Sequence, residues 1–170
     1  MDLKAYIRDV PGFPIEGVIF RDITPLLRSP EAFLHALDAL EAYCRPKQPD
    51  VIVAIEARGY ILAAPLALRL GAAFVPARKP GKLPWKTIRE EYQLEYGVAA
   101  LEMHEDAIAP GQRVVIVDDV IATGGTLNAT RRLVERLGGT VVGMACLVEL
   151  TFLNGRSALE GAELFSVLSY

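Results

Sequence analysis

"VVIVDDVIATGGTL", residues 114–127, sets four apolar strand formers before two adjacent aspartates and a loop of small residues. A continuous apolar run, rather than an alternating one, suits a strand buried on both faces, and such strands belong to parallel sheets covered by helices. Asp118 and Asp119 follow the strand expected over 114–117, so they stand at its carboxyl end and, as neighbours on extended backbone, point in different directions. Gly124 and Gly125 let the chain bend with N–H groups exposed, Thr123 and Thr126 add hydroxyls, and a helix is expected from about Thr126. Such a loop at a helix N-terminus cradles a phosphate through its amides, with the helix dipole adding to the attraction. Carboxylates accept hydrogen bonds from hydroxyls and help hold hydrated magnesium. An acidic pair can equally cap a loop, and Gly-Gly alone is a turn; the order strand, acids, cradle, helix points to a phosphorylated polyol site.

Outward from this stretch the chain alternates strands and helices. "SPEAFLHALDALEAYCR" offers Ser29 as N-cap and Pro30 at the first helical position, with Phe33, Leu37, Leu40 and Cys44 on one stripe. "DVIVAIEARG" reads as a buried strand over 51–55 entering a loop at Glu56, Ala57, Arg58 and Gly59. "YILAAPLALRLG" is the next helix, closed by Gly71, with Pro65 predicting a kink or a late start. "AAFVPAR" is a further strand, and "KPGKLPWKTIREEYQLEYG" reads as a long polar loop without a helical stripe. "ALEMH" is expected as a strand and "APG" as a turn, before the helix "TLNATRRLVERLGG" and the strand "TVVGMACLVEL". The expectation is an α/β doubly wound, mostly parallel sheet with helices on both faces. In such sheets ligands sit outside the carboxyl ends of the strands, where the loops at 56–59 and 118–126 both fall. One domain is expected over 1–170, the first thirty residues or so being an extension of it.

The 170 residues are 52% hydrophobic and 23% charged, which allows one sizeable core and excludes a mostly disordered chain. A net charge of -3 gives no global reason to bind nucleic acid, so local basic clusters matter more than the total. Cys44 and Cys146 form no CxxC pair and read as buried thiols in a reducing compartment. His35 and His104 fit no metal-ligand spacing. With neither a leader-like segment nor an apolar stretch of membrane-spanning length, a soluble cytoplasmic protein is expected. The competing phosphate motifs GxxxxGK[ST] and GxGxxG are absent. A phosphorelay receiver also carries strand-end acids and stays a remote alternative, although its single phosphoacceptor has no need of an ATGGT cradle.

"VVIVDDVIATGGT" resembles the phosphoribosyl pyrophosphate signature of type I phosphoribosyltransferases. Within that family, "PGFPIEGVIFRDITPLL" (11–27), "EARGY" (56–60), "RKPGKLP" (78–84), "EYQLEYG" (91–97) and "LVELTFLNGR" (147–156) are similar to the adenine-specific branch, in its order and over nearly the whole chain. The resemblance implies transfer of the phosphoribosyl group to N9 of adenine, giving AMP and pyrophosphate, with Mg2+. It implies that Asp118 and Asp119 hold the ribose diol, directly or through metal-bound water, and that Ala122, Thr123, Gly124, Gly125 and Thr126 bind the 5'-phosphate. Arg58 would meet the pyrophosphate, in a loop that often holds a cis peptide, here before Arg58, with Arg78, Lys79 and Lys82 adding positive charge. An N-terminal hood would bind the base, with Ile19 and Arg21 reading adenine through backbone groups and Phe20 packing on its ring. Glu95 of "LEYG" would do acid/base work near N7 while Tyr96 shares its loop, which is expected to close over the substrates. The family's habit implies a homodimer. A related enzyme for another base and a non-catalytic sensor of phosphoribosyl pyrophosphate are the alternatives.

Overall fold

Two compact units divide the chain at residue 39, Met1–Ala39 and Leu40–Tyr170. Their architecture comes from a computed structural model, which describes residues 1–94 and 97–170. The first unit contains an antiparallel hairpin of β1 (Arg8–Pro11) and β2 (Ile19–Asp22), in which Val10 faces Phe20. It is followed by a short helix, α1 (Thr24–Arg28), and by the start of α2 (Pro30–Cys44). Ser29 caps α2 as expected, its Oγ accepting from the Ala32 amide at 3.3 Å.

The second unit is built on β3 (Val51–Ile55), α3 (Arg58–Leu70), β4 (Ala73–Ala77), β5 (Thr87–Gln93), β6 (Val98–His104), β7 (Arg113–Ile121), α4 (Gly125–Arg136), β8 (Thr140–Glu149) and β9 (Leu164–Ser169). Five of these strands form a parallel sheet in the order β4-β3-β7-β8-β9. The chain steps from β3 outward to β4 through α3, then from β7 in the opposite direction to β8 through α4. Right-handed crossovers running in opposite directions place their helices on opposite faces, so α3 packs on β3, β4 and β7 while α4 packs on β7 and β8. Val51, Val53, Ile55, Val114 and Ile116 join Leu127, Leu133 and Val134 of α4 in one core. The alternate residues Ile52, Ala54, Val115 and Val117 are buried as well, which is why the strands are apolar throughout. The winding reverses between β3 and β7, and a crevice opens there at the carboxyl ends of both strands.

The structure corrects several expected boundaries. The stretch read as a long loop holds a hairpin, Thr87–Gln93 paired with Val98–His104. Ile88 and Tyr92 pack on the core at a strand's spacing, but Glu90 between them is tied to Arg132 and Arg136 of α4. An acid at a core-facing position hides the period of two. Strand β7 runs to Ile121 rather than stopping at Val117, because pairing to β8 continues to Glu149 while pairing to β3 stops at Ala54↔Val117. The aspartates therefore leave the sheet on one side only. Helix α3 starts early, at Arg58, and keeps Pro65 inside it, forgoing one backbone bond rather than breaking. Gly71 ends it in the left-handed conformation as expected, whereas β9 lies outside the expected elements.

Candidate functional site

Arg58 and Gly59 open α3 directly beside the end of β7. A Cβ on Gly59 would lie 3.1 Å from both Asp118 Oδ1 and the Val117 carbonyl oxygen, so the close approach of helix to strand depends on a residue without a side chain. Arg58 Nε lies 2.7 Å from Asp119 Oδ2. That oxygen is buried and accepts no aligned hydrogen bond, so the contact is an ion pair with acceptor capacity left over. Asp118 Oδ1 accepts from the Asp119 amide at 2.9 Å. Burial first, and then the neighbouring Asp119 charge, push the Asp118 carboxyl well above the usual carboxylate range. Two acids in near-complete burial, 8% and 5% exposed, with one half-exposed arginine leave this point short of positive charge.

A cavity of about 350 Å³ opens over these groups, lined by Glu56, Ala57, Arg58, Lys79, Tyr92, Asp118, Asp119, Ala122 and Thr126. A smaller recess of about 80 Å³ continues from it between Asp118, Ala122, Thr123, Gly124 and Thr126. The recess is walled by loop backbone at the start of α4, where unpaired helix amides and the dipole favour an anion. Its shape is braced from outside. Gly124 has φ +85°, and a Cβ there would run into the Gly155 carbonyl oxygen, while a Cβ on Gly155 would run into that of Ala122. The segment carrying Gly155 is in turn pinned by Arg156, which donates from Nε and Nη2 to the two Glu149 oxygens at 2.7 Å each and from Nη1 to the Leu164 carbonyl at 2.8 Å. Arg156 hydrogen bonding, against burial, holds the Glu149 carboxyl below its ordinary value.

The basic cluster divides in two. Lys79 lines the large cavity, while Arg78 donates to Glu56 Oε2 at 3.0 Å and to the Lys82 carbonyl at 3.2 Å. Glu56 also accepts from the Lys79 amide at 2.6 Å, and burial of Glu56 is outweighed by these partners, so its carboxyl sits below the usual value. Lys82 is exposed and not part of the cavity lining. The cis peptide joins Glu56 to Ala57 rather than preceding Arg58. Ala57 already has helical backbone as the residue before α3, so the irregular bond falls one position earlier.

Ile19, Phe20 and Arg21 all lie on β2 in the Met1–Ala39 unit. The Phe20 ring meets Phe13 edge-on at 5.2 Å, and Arg21 Nη1 pairs with Asp9, so the Arg21 guanidinium already has a partner. Glu95 and Tyr96 lie outside the described residues. The sequence reading did not single out Glu56, Tyr92, Glu149, Gly155 or Arg156. Only Glu56 had a local signal, its place in the loop after β3; Tyr92 and Gly155 act through contacts about thirty residues away, and Glu149 and Arg156 meet each other across the bend that follows β8.

The family model for the phosphoribosyl transferase domain matches residues 26–162. An adenine phosphoribosyltransferase from Thermotoga sp. (strain RQ2) is 58% identical over 170 residues, covering 100% of both chains. One from Desulfitobacterium hafniense is 55% identical over 100% of this chain and 98% of its own. Among solved structures, the adenine phosphoribosyltransferase of Thermoanaerobacter pseudethanolicus superposes with a TM-score of 0.97 at 50% identity, over 99% of this chain and 98% of that one. The Saccharomyces cerevisiae enzyme, crystallised with an imino-altritol bisphosphate and adenine, gives 0.93 at 40% identity over 98% and 97%.

Proposed function

The chain belongs to the adenine phosphoribosyltransferases, and from that premise we propose how its site moves the phosphoribosyl group of phosphoribosyl pyrophosphate onto N9 of adenine, releasing AMP and pyrophosphate. The convergence of Asp118, Asp119, Arg58 and the loop Ala122–Thr126 at the reversal between β3 and β7 carries the reading. The loop amides and the Thr123 and Thr126 hydroxyls hold the 5'-phosphate. Asp118 and Asp119 accept hydrogen bonds from the ribose hydroxyls and fix the sugar's orientation. Arg58 and Lys79 face the pyrophosphate, which gains charge as its bond to the anomeric carbon breaks. Arg78 acts through Glu56, which orders the chain around Lys79, and Lys82 adds positive charge from outside the cavity.

Magnesium fits this donor set as an ion shared with substrate oxygens. Asp119 Oδ2 retains acceptor capacity, and one or two carboxylates suffice where the ion is also held by phosphates. Asp118 and Asp119 would hold it, directly or through water, and it would supply positive charge against the departing pyrophosphate. Glu95, next to Tyr96 in the sequence, receives the proton that adenine releases or relocates as N9 attacks. The backbone groups of Ile19 and Arg21 read the edge of the base, and Phe20 packs on its ring.

We further assign the enzyme to the cytoplasm as a homodimer. Both cysteines are free and buried, which suits a reducing compartment, and no helix among the described residues is long and apolar enough to cross a membrane. Ile61 and Leu68, seven residues apart and so on one face of α3, are exposed, Leu68 by 84%, which suits contact with a second copy. The test is AMP formation with adenine, hypoxanthine, guanine, xanthine and orotate compared in parallel. Selective turnover of adenine supports the proposal; turnover of another base overturns the specificity, and donor binding without turnover overturns the catalytic roles.

A further inference from the structure

Tyr92 has a place in the site that the proposed mechanism does not use. It projects from β5 over the start of α4, where its ring lies so close to the backbone that a Cβ on Gly125 would come within 3.1 Å of Tyr92 Cδ2. Its hydroxyl accepts from Thr126 Oγ1 at 3.3 Å, and both residues line the large cavity. That separation is longer than two hydroxyls usually keep, as catalytic hydrogen bonds often are before a ligand draws them together. The Thr126 carbonyl accepts from the Thr130 hydroxyl at 2.8 Å, and the Thr126 side chain stands at the first turn of the helix.

A hydroxyl has one proton and two acceptor lone pairs. The Thr126 proton now goes to Tyr92; a phosphate oxygen in the recess competes for it, so on binding the pair reverses, Tyr92 donates to Thr126 Oγ1, and a one-directional chain runs from Tyr92 through Thr126 to the phosphate oxygen. We propose that Tyr92 is a positioning residue for the 5'-phosphate, acting by orienting the Thr126 hydroxyl, with Gly125 bare so that the tyrosine ring can reach across. This rests on the assignment of Ala122–Thr126 to the 5'-phosphate.

Tyr92→Phe keeps the ring on Gly125 and removes only the oxygen. Loss of one hydrogen bond predicts a rise of about three- to tenfold in KM for phosphoribosyl pyrophosphate and in the inhibition constant of ribose 5-phosphate. The inhibition constant of pyrophosphate stays at its wild-type value, and kcat falls by less than KM rises. Thr126→Val produces the same pattern, and adding Tyr92→Phe to it produces no further loss. Equal weakening of ribose 5-phosphate and pyrophosphate, no weakening of ribose 5-phosphate by Tyr92→Phe, or a full additional loss in the double variant overturns the role of Tyr92. Thr126→Val with unchanged ribose 5-phosphate inhibition overturns the phosphate assignment beneath it, a separate failure.

Discussion

Two loops flank the reversal of winding, one after β3 and one after β7, and they present opposite kinds of surface. The loop after β7, Ala122–Gly124, is shaped by backbone: it needs a glycine at φ +85° and is braced by Gly155 from the segment after β8. The loop after β3, Glu56–Ala57, works through side chains, with Glu56 gripping Arg78 and the Lys79 amide while Arg58 meets Asp119. A tetrahedral phosphate that does not change in the reaction suits a rigid ring of amides. A pyrophosphate whose charge grows during reaction suits side-chain cations at partial exposure. The difference predicts that the first loop fails sharply when its shape changes, and the second by degrees when its charge does.

Gly124→Ala breaks the comparison most severely. A side chain at positive φ facing the Gly155 carbonyl costs about 3 kcal/mol of stability, and the displaced loop lowers kcat/KM for the donor by roughly a hundredfold; steady-state kinetics and urea unfolding measure both. Arg58→Ala follows, with a loss of roughly thirtyfold in kcat/KM, short of the effect of a fully enclosed donor because half of the arginine side chain is in water. Calorimetry should show that this variant weakens pyrophosphate more than ribose 5-phosphate.

Glu149→Gln loosens the brace without touching the loop. It should cost about 2 kcal/mol in urea unfolding. The Glu149 carboxyl is held below its ordinary value of 4.5 in the folded protein, so its contribution is complete above that pH and is lost as the pH falls through the lower folded value. The stability gap between wild type and variant therefore persists at neutral pH and closes in acid, as unfolding at a series of pH values would reveal. Lys82→Ala is the smallest change: the residue is exposed and not part of the cavity lining, so kcat/KM should move by no more than roughly twofold.

The same contrast explains what was legible in the sequence. Asp118, Asp119 and the ATGGT loop are contiguous, and a doubly buried strand before them announces itself by an unbroken apolar run, so the fold and half the site can be read from fourteen residues. Arg58 could be placed by its position after a second such strand. The β5–β6 hairpin was hidden because Glu90 occupies an inward position and is satisfied by arginines more than forty residues away. Gly155 was quoted within a family motif, but its work is a contact with a loop about thirty residues earlier, and local sequence holds no trace of it. Arg78 looked like a free cation for the same reason, since its partner Glu56 lies on another strand's end.

A crystal structure with AMP and pyrophosphate bound tests the central division most directly. The account predicts the AMP phosphate within the Ala122–Thr126 amides, the ribose hydroxyls on Asp118 and Asp119, and pyrophosphate beside Arg58 and Lys79. An AMP phosphate lying against Arg58 and Lys79, with the glycine-braced recess left empty, would contradict it.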